Sequence, residues 1–369
     1  MPIAAVPAYL GQVFESAPPG MRFGMYLNLW TSRTDQENEV RKRARQKSHE
    51  GQEIRRHLET HGMDHTIVWL CSRERNPLPR LWRKNDFAAR QVWQDVCALS
   101  KSDRHTLTGL IQRQAALAAA LPDCFILPAK STAPFTTGLG NEHPLENGFS
   151  FLWPYGLPYL PGSGVKGVLR QAARELASGA WGDDTPWCRL PPPSGRGEHS
   201  TALDILFGLE SADRQSEHFR GVLNFWDVIP DIRGDRLMVE IMTPHQTHYY
   251  RDGRQPHDSG QPTPIPFLTV PPGSGFTFHV QCDRARLAHL APELARDDRW
   301  RTLLRSAFEH AFDWLGFGAK TTVGYGAMQV DSHAATKKRR QAQPDEKTPR
   351  EATSTLPADA AEIEKARPS

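Results

Sequence analysis

Two textures divide the chain. From Thr34 to about His61 it is dense in Glu, Arg, Lys and Gln and holds no proline, which predicts an exposed helix. The stretches "DFAARQVWQDVCALS" and "RHTLTGLIQRQAALAAAL" carry apolar residues at helical spacing, and the second places Leu107, Leu110, Ile111 and Leu117 on one face. Residues 33–121 are therefore expected to be mainly helical. Ahead of them, residues 1–32 are apolar but interrupted by Pro7, Pro18, Pro19 and Gly20, with "MRFGMYLNLW" (21–30) as a strand or a docking segment.

After Pro122 the pattern changes. "CFILPAKS" (124–131) predicts a strand, residues 136–163 a Gly/Pro-rich loop, and 164–177 a helix. Residues 180–200 look like a Pro/Gly-rich mobile insertion. "GVLNFWDVIP" and "RLMVEIMT" predict strands, a second Pro-rich stretch covers 252–273, and "GFTFHVQC" (275–282) predicts a strand. "DDRWRTLLRSAFEHAFDWLG" is a helix with Leu303, Leu304, Ala307, Phe308, Ala311, Phe312 and Leu315 on its apolar face, and Asp297 or Asp298 in position to cap it. The glycine loop "GFGAKTTVGYG" (316–326) leads into the strand "YGAMQV" (325–330). Residues 333–369 are polar and nearly free of large apolar side chains, which predicts a disordered tail. The order over 122–332 is β-α-β-β-α-β with insertions, so the fold class is α+β, ferredoxin-like (RRM-like).

Bulk properties narrow the function only a little. A formal charge of +3 permits an anionic partner without demanding one. Five cysteines are scattered and none forms a C-x-x-C pair, so neither a cysteine-built zinc site nor a disulfide framework is expected. The prolines in "MPIAAVPAYLGQVFESAPPG" and the lack of a long apolar run suggest a soluble, cytoplasmic protein with no membrane partner.

Three motifs imitate catalytic signatures and fail on context. "GSGVKG" (162–167) is G-x-G-x-x-G, but "WPYGLPYLP" before it is no buried parallel strand, so a dinucleotide site is not supported. "SGVK" (163–166) lacks the companion elements of a serine β-lactamase. "GFGAKT" (316–321) has Ala319 where a P-loop needs Gly, and it runs from helix to strand rather than strand to helix. No cofactor is called for.

What remains suits an anionic polymer. "PGSGVKG" opens a helix whose free amides and positive dipole end would face outward, with Lys166 in the first turn and Arg170 one turn on. The second loop adds amides and Lys320. Tyr155, Tyr159 and Tyr325 could stack bases or could simply pack. The run "VRKRARQK" (40–47) reads as a solvated helix face, with RNA contact as the alternative. His143, His245 and His248 lie in loops, where a histidine could act as a general base on a 2′-hydroxyl or serve structure alone. Asp183, Asp184 and Asp227 sit on different elements and assemble no evident magnesium site.

Four of these stretches, "TTGLGNEHPLENGFSFLWPYGLPYLPGSGVKGVLR" (136–170), "MTPHQTHYY" (242–250), "PTPIPFLTVPPGSGFTFHV" (262–280) and "LGFGAKTTVGYG" (315–326), occur in the order that resembles the RAMP superfamily of CRISPR proteins, in particular the family of sixth subunits of the type III-B Cmr module. The resemblance covers about 122–332. It implies a cytoplasmic, RNA-guided antiviral assembly. In it the subunit holds the 3′ part of guide RNA and nearby target RNA, beside the other RAMP end subunit and the backbone filament subunits. It also implies a subunit without nuclease activity: backbone members that cut RNA carry an Asp on the loop after the first strand, whereas "STAPFTTGLGNEHP" offers Glu142 and no Asp. Carried onto this chain, Gly164, Lys166, Gly167, Arg170, Gly316, Gly318, Lys320 and Gly324 become the candidate RNA-backbone contacts. Two alternatives stay open. One is a RAMP endoribonuclease that processes guide RNA with His143 or His245 as acid/base. The other is a protein-binding scaffold whose glycine loops are packed turns.

Overall fold

The computed structural model describes residues 4, 6–11, 13–30, 32–73, 88–182, 185–188, 201–209, 219–243, 253, 255 and 264–332. The expected tail at 333–369, His245, His248, Asp183, Asp184, and most of the two Pro-rich insertions lie outside these residues.

Helices dominate the first third. The Pro18-Pro19 pair presets φ and places proline at the first helical position, so α1 (Pro19–Gly24) forms at the start of 21–30, which had been left open between a strand and a docking segment. The long polar run becomes two helices, α2 (Arg33–Ala44) and α3 (His49–Cys71). Ser32 and Ser48 start them, accepting from the amides of Asp35 and Gly51 at 3.1 Å each. Gly62, at φ 78°, breaks α3 and folds its second half back, so that His57 stacks on Trp69 with ring centroids 4.3 Å apart. Val40, Ala44, Ile54, Ile67 and Leu70 give this pair its own small core. α4 (Ala88–Cys97) and α5 (Lys101–Ala120) follow, the latter started by a reciprocal Ser100–Asp103 capping box.

α5 packs Leu107 against Leu157 and Ile229, with Leu110 and Ile111 partly buried beside them. Leu117 does not join that face and is exposed, while Ala118 is buried. At 3.6 residues per turn Ala118 lies about 20° from Leu107 and Leu117 about 80° away.

The central sheet has four antiparallel strands: β1 (Cys124–Ser131), β2 (Leu223–Phe225), β5 (Gly275–Cys282) and β6 (Met328–Val330), in the order β6-β1-β5-β2. A separate hairpin pairs β3 (Met238–Met242) with β4 (Ile265–Thr269). The second of these strands falls within the second Pro-rich stretch, where no strand was read; Pro266 is tolerated at the end of a two-stranded ribbon. Helices α6 (Gly162–Ala177) and α7 (Arg299–His310) pack on each other.

Asp298 precedes α7 without capping it. Its backbone is left-handed (φ 52°), and its carboxylate pairs with Arg284 and, at 3.6 Å, with Arg301. The expected apolar face of α7 is buried from Leu303 to Phe312, with Leu315 partly buried. Phe278, Phe308 and Phe317 cluster with centroids 4.9–6.3 Å apart. The main core also takes in Phe23, Leu27 and Leu29, and Val92 and Trp93 of α4. Among the described residues no helix is long and apolar enough to cross a membrane.

Candidate nucleic-acid interface

The glycine loop is built by what surrounds it. α7 runs on into a five-residue π turn, Ala311–Leu315, which Gly316 closes by donating to Ala311 O at 2.8 Å. Gly316, Gly318, Gly324 and Gly326 all have positive φ, between 69° and 96°. Two of them also have no room for a side chain. A Cβ on Gly318 would run into Thr136 O and the Phe135 ring, and one on Gly326 into Phe317 O.

The loop's amides are mostly spent inside the molecule. Phe317 N–H donates to Gly326 O (3.0 Å), Ala319 N–H to Thr136 O (2.8 Å), Gly326 N–H to Pro134 O (2.8 Å) and Tyr325 N–H to Lys320 O (3.3 Å). The loop is thus a clasp that fastens the approach to β6 onto the segment after β1, which corrects the expectation of an open cradle of amides. Lys320 has left-handed backbone (φ 59°), and its ammonium lies 5.6 Å from the centroid of the Phe267 ring on β4. Tyr325 meets the same ring edge-on at 5.5 Å, and its hydroxyl reaches Glu240 Oε2 at 3.4 Å. Burial, then the Glu240 charge, raises the Tyr325 pKa.

The start of α6 holds a second surprise. Gly162 packs on the backbone at Phe225 and Trp226, and its amide donates to Asp227 Oδ1 at 2.7 Å. The amides of Gly164 and Val165 go to Pro161 O at 2.9 and 3.1 Å. A carboxylate from the segment just after β2, distant in sequence, therefore caps the end that was expected to greet an anion. Gly164 and Gly167 are exposed, and Lys166 and Arg170 are half-buried.

The two groups of candidate residues are anchored apart: Gly164, Lys166, Gly167 and Arg170 on α6 beside Asp227, and Gly316, Gly318, Lys320 and Gly324 on the clasp beside β4. The far end of α6 meets the end of α7 and its π turn. His310 Nε2 of α7 lies 2.6 Å from Glu175 Oε2, and Trp181 lies 4.9 Å from Trp314, centroid to centroid. Tyr155 and Tyr159 are half-buried against the α5 cluster rather than displayed.

His143 is fully engaged. Its Nε2 bonds Phe23 O at 2.8 Å, its Nδ1 accepts from Leu145 N–H at 3.1 Å, and its ring stacks on Phe23. Burial lowers its pKa. Among the described residues no group of three His, Cys, Asp or Glu side chains is arranged to hold a metal ion.

An antiparallel sheet clasped by a glycine loop, with helices packed beside it, defines a class to which the sequence comparison gives a name: residues 129–329 match the RAMP superfamily, and the chain belongs to it. Within it the chain is 27% identical over 239 residues to the CRISPR system Cmr subunit Cmr6 of Pyrococcus furiosus, a match covering 54% of this chain and 66% of that protein, just short of two thirds of its length. Among solved structures it is similar to a chain of the type III-B Cmr-beta complex bound to cognate target RNA, at 19% identity and a TM-score of 0.44, covering 67% of this chain and 72% of that one. It is also similar to the crystal structure of Cmr6 from Pyrococcus furiosus, at 27% identity and a TM-score of 0.30, covering 56% and 98%.

Proposed function

We propose that this protein is a non-catalytic RNA-binding subunit of a type III-B CRISPR effector, holding the 3′ part of guide RNA and nearby target RNA through backbone phosphates. The observation that carries this reading is the 27% identity over 239 residues to a Cmr6 subunit, in a chain whose residues 129–329 match the superfamily. On this reading residues 122–332 form a ferredoxin-like RAMP domain, an assignment supported by the strand order β6-β1-β5-β2. Residues 1–32 are an N-terminal segment, 33–121 a helical region and 333–369 a disordered tail. The partners are guide and target RNA, the other RAMP end subunit and the backbone filament subunits, and the site of action is the cytoplasm.

Because the clasp and the α6 start use most of their amides internally, the phosphate contacts fall to side chains: Lys166 and Arg170 on α6, and Lys320 on the clasp. The exposed glycines at 164, 167, 318 and 324 let a backbone come close. Contacts of this kind position RNA without reading its sequence. The engaged state of both His143 ring nitrogens speaks against a general base at that position.

The test is a titration of the full chain against end-labelled single-stranded RNA, with and without magnesium, on native and denaturing gels. The expected result is intact RNA that shifts, with the shift lost at high salt and weakened for all sequences by Lys166→Ala and Lys320→Ala. RNA that is cut, with cutting abolished by His143→Ala or His245→Ala, would replace this reading with the processing nuclease.

A further inference from the structure

The corner where α2 turns into α3 carries a charge excess that its own helices do not consume. Residues 41–56 hold seven Arg or Lys against two Glu. Three of the seven are accounted for. Arg41, Lys42 and Arg43 lie in the last turn of α2, where cations favour the helix dipole, and they reach Glu37 at 3.8 Å, Glu39 at 4.0 Å and Glu39 at 3.0 Å. The other four, Arg45, Lys47, Arg55 and Arg56, are exposed, and among the described residues no carboxylate lies within ion-pair distance of them.

The remaining carboxylates of the pair sit away from the corner. Asp35, Glu37 and Glu39 occupy the first seven residues of α2, and Glu59 and Asp64 flank the break at Gly62. Charge is thus segregated along the two helices instead of alternating, as a merely solvated face would have it. The corner is also rigid. Arg43 reaches Glu50 at 3.8 Å across it, Gly51 presses on the backbone of Arg43 and Gln46, and the small core behind it fixes the helices. The first turn of α3, with its positive dipole end, opens at the same place. All of it lies outside the residues that match the superfamily.

We infer that the α2–α3 corner is a second phosphate-binding surface, with Arg45, Lys47, Arg55 and Arg56 contacting the backbone of RNA that runs beyond the superfamily core. The inference rests on the RNA-binding reading above and adds to it a surface that the core lacks. Four exposed, unneutralised cations on a fixed scaffold complement a phosphodiester chain, where each contact releases counterions.

The experiment measures binding of the full chain to a 30-nucleotide polyuridine by fluorescence anisotropy from about 50 to 300 mM KCl. It compares wild type, the quadruple variant Arg45→Gln/Lys47→Gln/Arg55→Gln/Arg56→Gln, and Lys166→Ala/Lys320→Ala. Glutamine keeps helix propensity, and a thermal melt confirms that the variant is folded. The quadruple variant is expected to bind about tenfold or more weakly at the lowest salt, with the slope of log K against log salt shallower by about 0.7 for each phosphate that is no longer neutralised. An unchanged affinity and slope, with binding still lost in Lys166→Ala/Lys320→Ala, overturns the corner and leaves the proposed function intact. A wild type that binds no polyuridine at any salt overturns both. Retained RNA binding with lost association to a partner protein also overturns it, and makes the corner a protein-docking surface.

Discussion

The imidazole of His143 lies flat on the ring of Phe23, centroids 3.7 Å apart and 6° from parallel, and its Nε2 bonds the carbonyl oxygen of that same residue. The contact ties the loop after β1 to α1 across 120 residues of sequence. Removing it with His143→Ala is expected to cost about 2 kcal/mol, because two part-buried hydrogen bonds and a stacked ring go together. Urea unfolding measures this.

The same residue makes stability depend on pH. Burial holds the folded-state pKa of His143 below its ordinary 6.5, so its contribution is complete above 6.5 and is lost as pH falls through the folded value. His57 is shifted the same way, by burial first and then by His61 and His65, so wild type alone cannot apportion the loss. His143→Gln should lose less stability than wild type between pH 7.5 and 5.5. Equal losses would show that His143 does not titrate differently on folding.

The clasp glycines separate two causes of glycine. At Gly324 nothing lies within 4 Å of the place a methyl group would occupy, so Gly324→Ala meets only the cost of φ 94°, about 1 kcal/mol. At Gly326 and Gly318 a methyl group would collide with backbone oxygen as well. Gly326→Ala and Gly318→Ala should therefore lower the melting temperature well beyond Gly324→Ala. Equal shifts in all three would mean that backbone conformation alone selects glycine here.

Asp227 sets two properties against each other. It accepts from Gly162 N–H at the start of α6, so Asp227→Ala should destabilise the protein by about 1 kcal/mol, the usual worth of a helix cap. It also places a negative charge where the proposed RNA approach needs none. Asp227→Ala should then bind single-stranded RNA more tightly at low salt while melting earlier. Weaker binding in a folded variant would remove the start of α6 from the RNA path.

The α6–α7 contact gives a second pH window. Glu175 is held below its ordinary 4.5 by the hydrogen bond from His310, then by that from Gln171. Its contribution is present above 4.5 and is lost as pH falls through the folded value. Glu175→Gln should flatten the acid limb of the stability curve. Because Trp181 meets His310 edge-on at 4.7 Å, His310→Ala should also shift tryptophan emission, and an unchanged spectrum would argue against that packing.

Much of the fold is legible in the sequence because local signals agree with tertiary ones. β1 and β5 appear at the expected residues, since strong apolar runs bounded by turn residues leave little choice. The apolar face of α7 is read correctly and continues through Ala311 and Phe312, although no periodicity announces the π turn that carries them. β4 is hidden by its prolines, and of the two readings of 21–30 the strand yields to a helix begun by Pro19 while Phe23, Leu27 and Leu29 dock in the core. The candidate site is harder. Its glycines and lysines are visible, but whether an amide is open depends on a partner far along the chain, such as Asp227 for Gly162 or Thr136 for Ala319. A glycine that packing requires and one that a ligand requires look alike in sequence, and packing requires glycine at Gly318 and Gly326. Only the three-dimensional neighbours Phe135, Thr136 and Phe317 separate the two roles.

Phe23 touches Trp93 at 6.0 Å and Phe151 at 5.9 Å, and with Leu27 and Leu29 it is part of the main core. The superfamily match begins only at residue 129. A chain trimmed to that match would bare the aromatic wall that Phe23 covers. The N-terminal segment and the sheet therefore share one core, and residues that lie ahead of the superfamily match are part of what holds that match together.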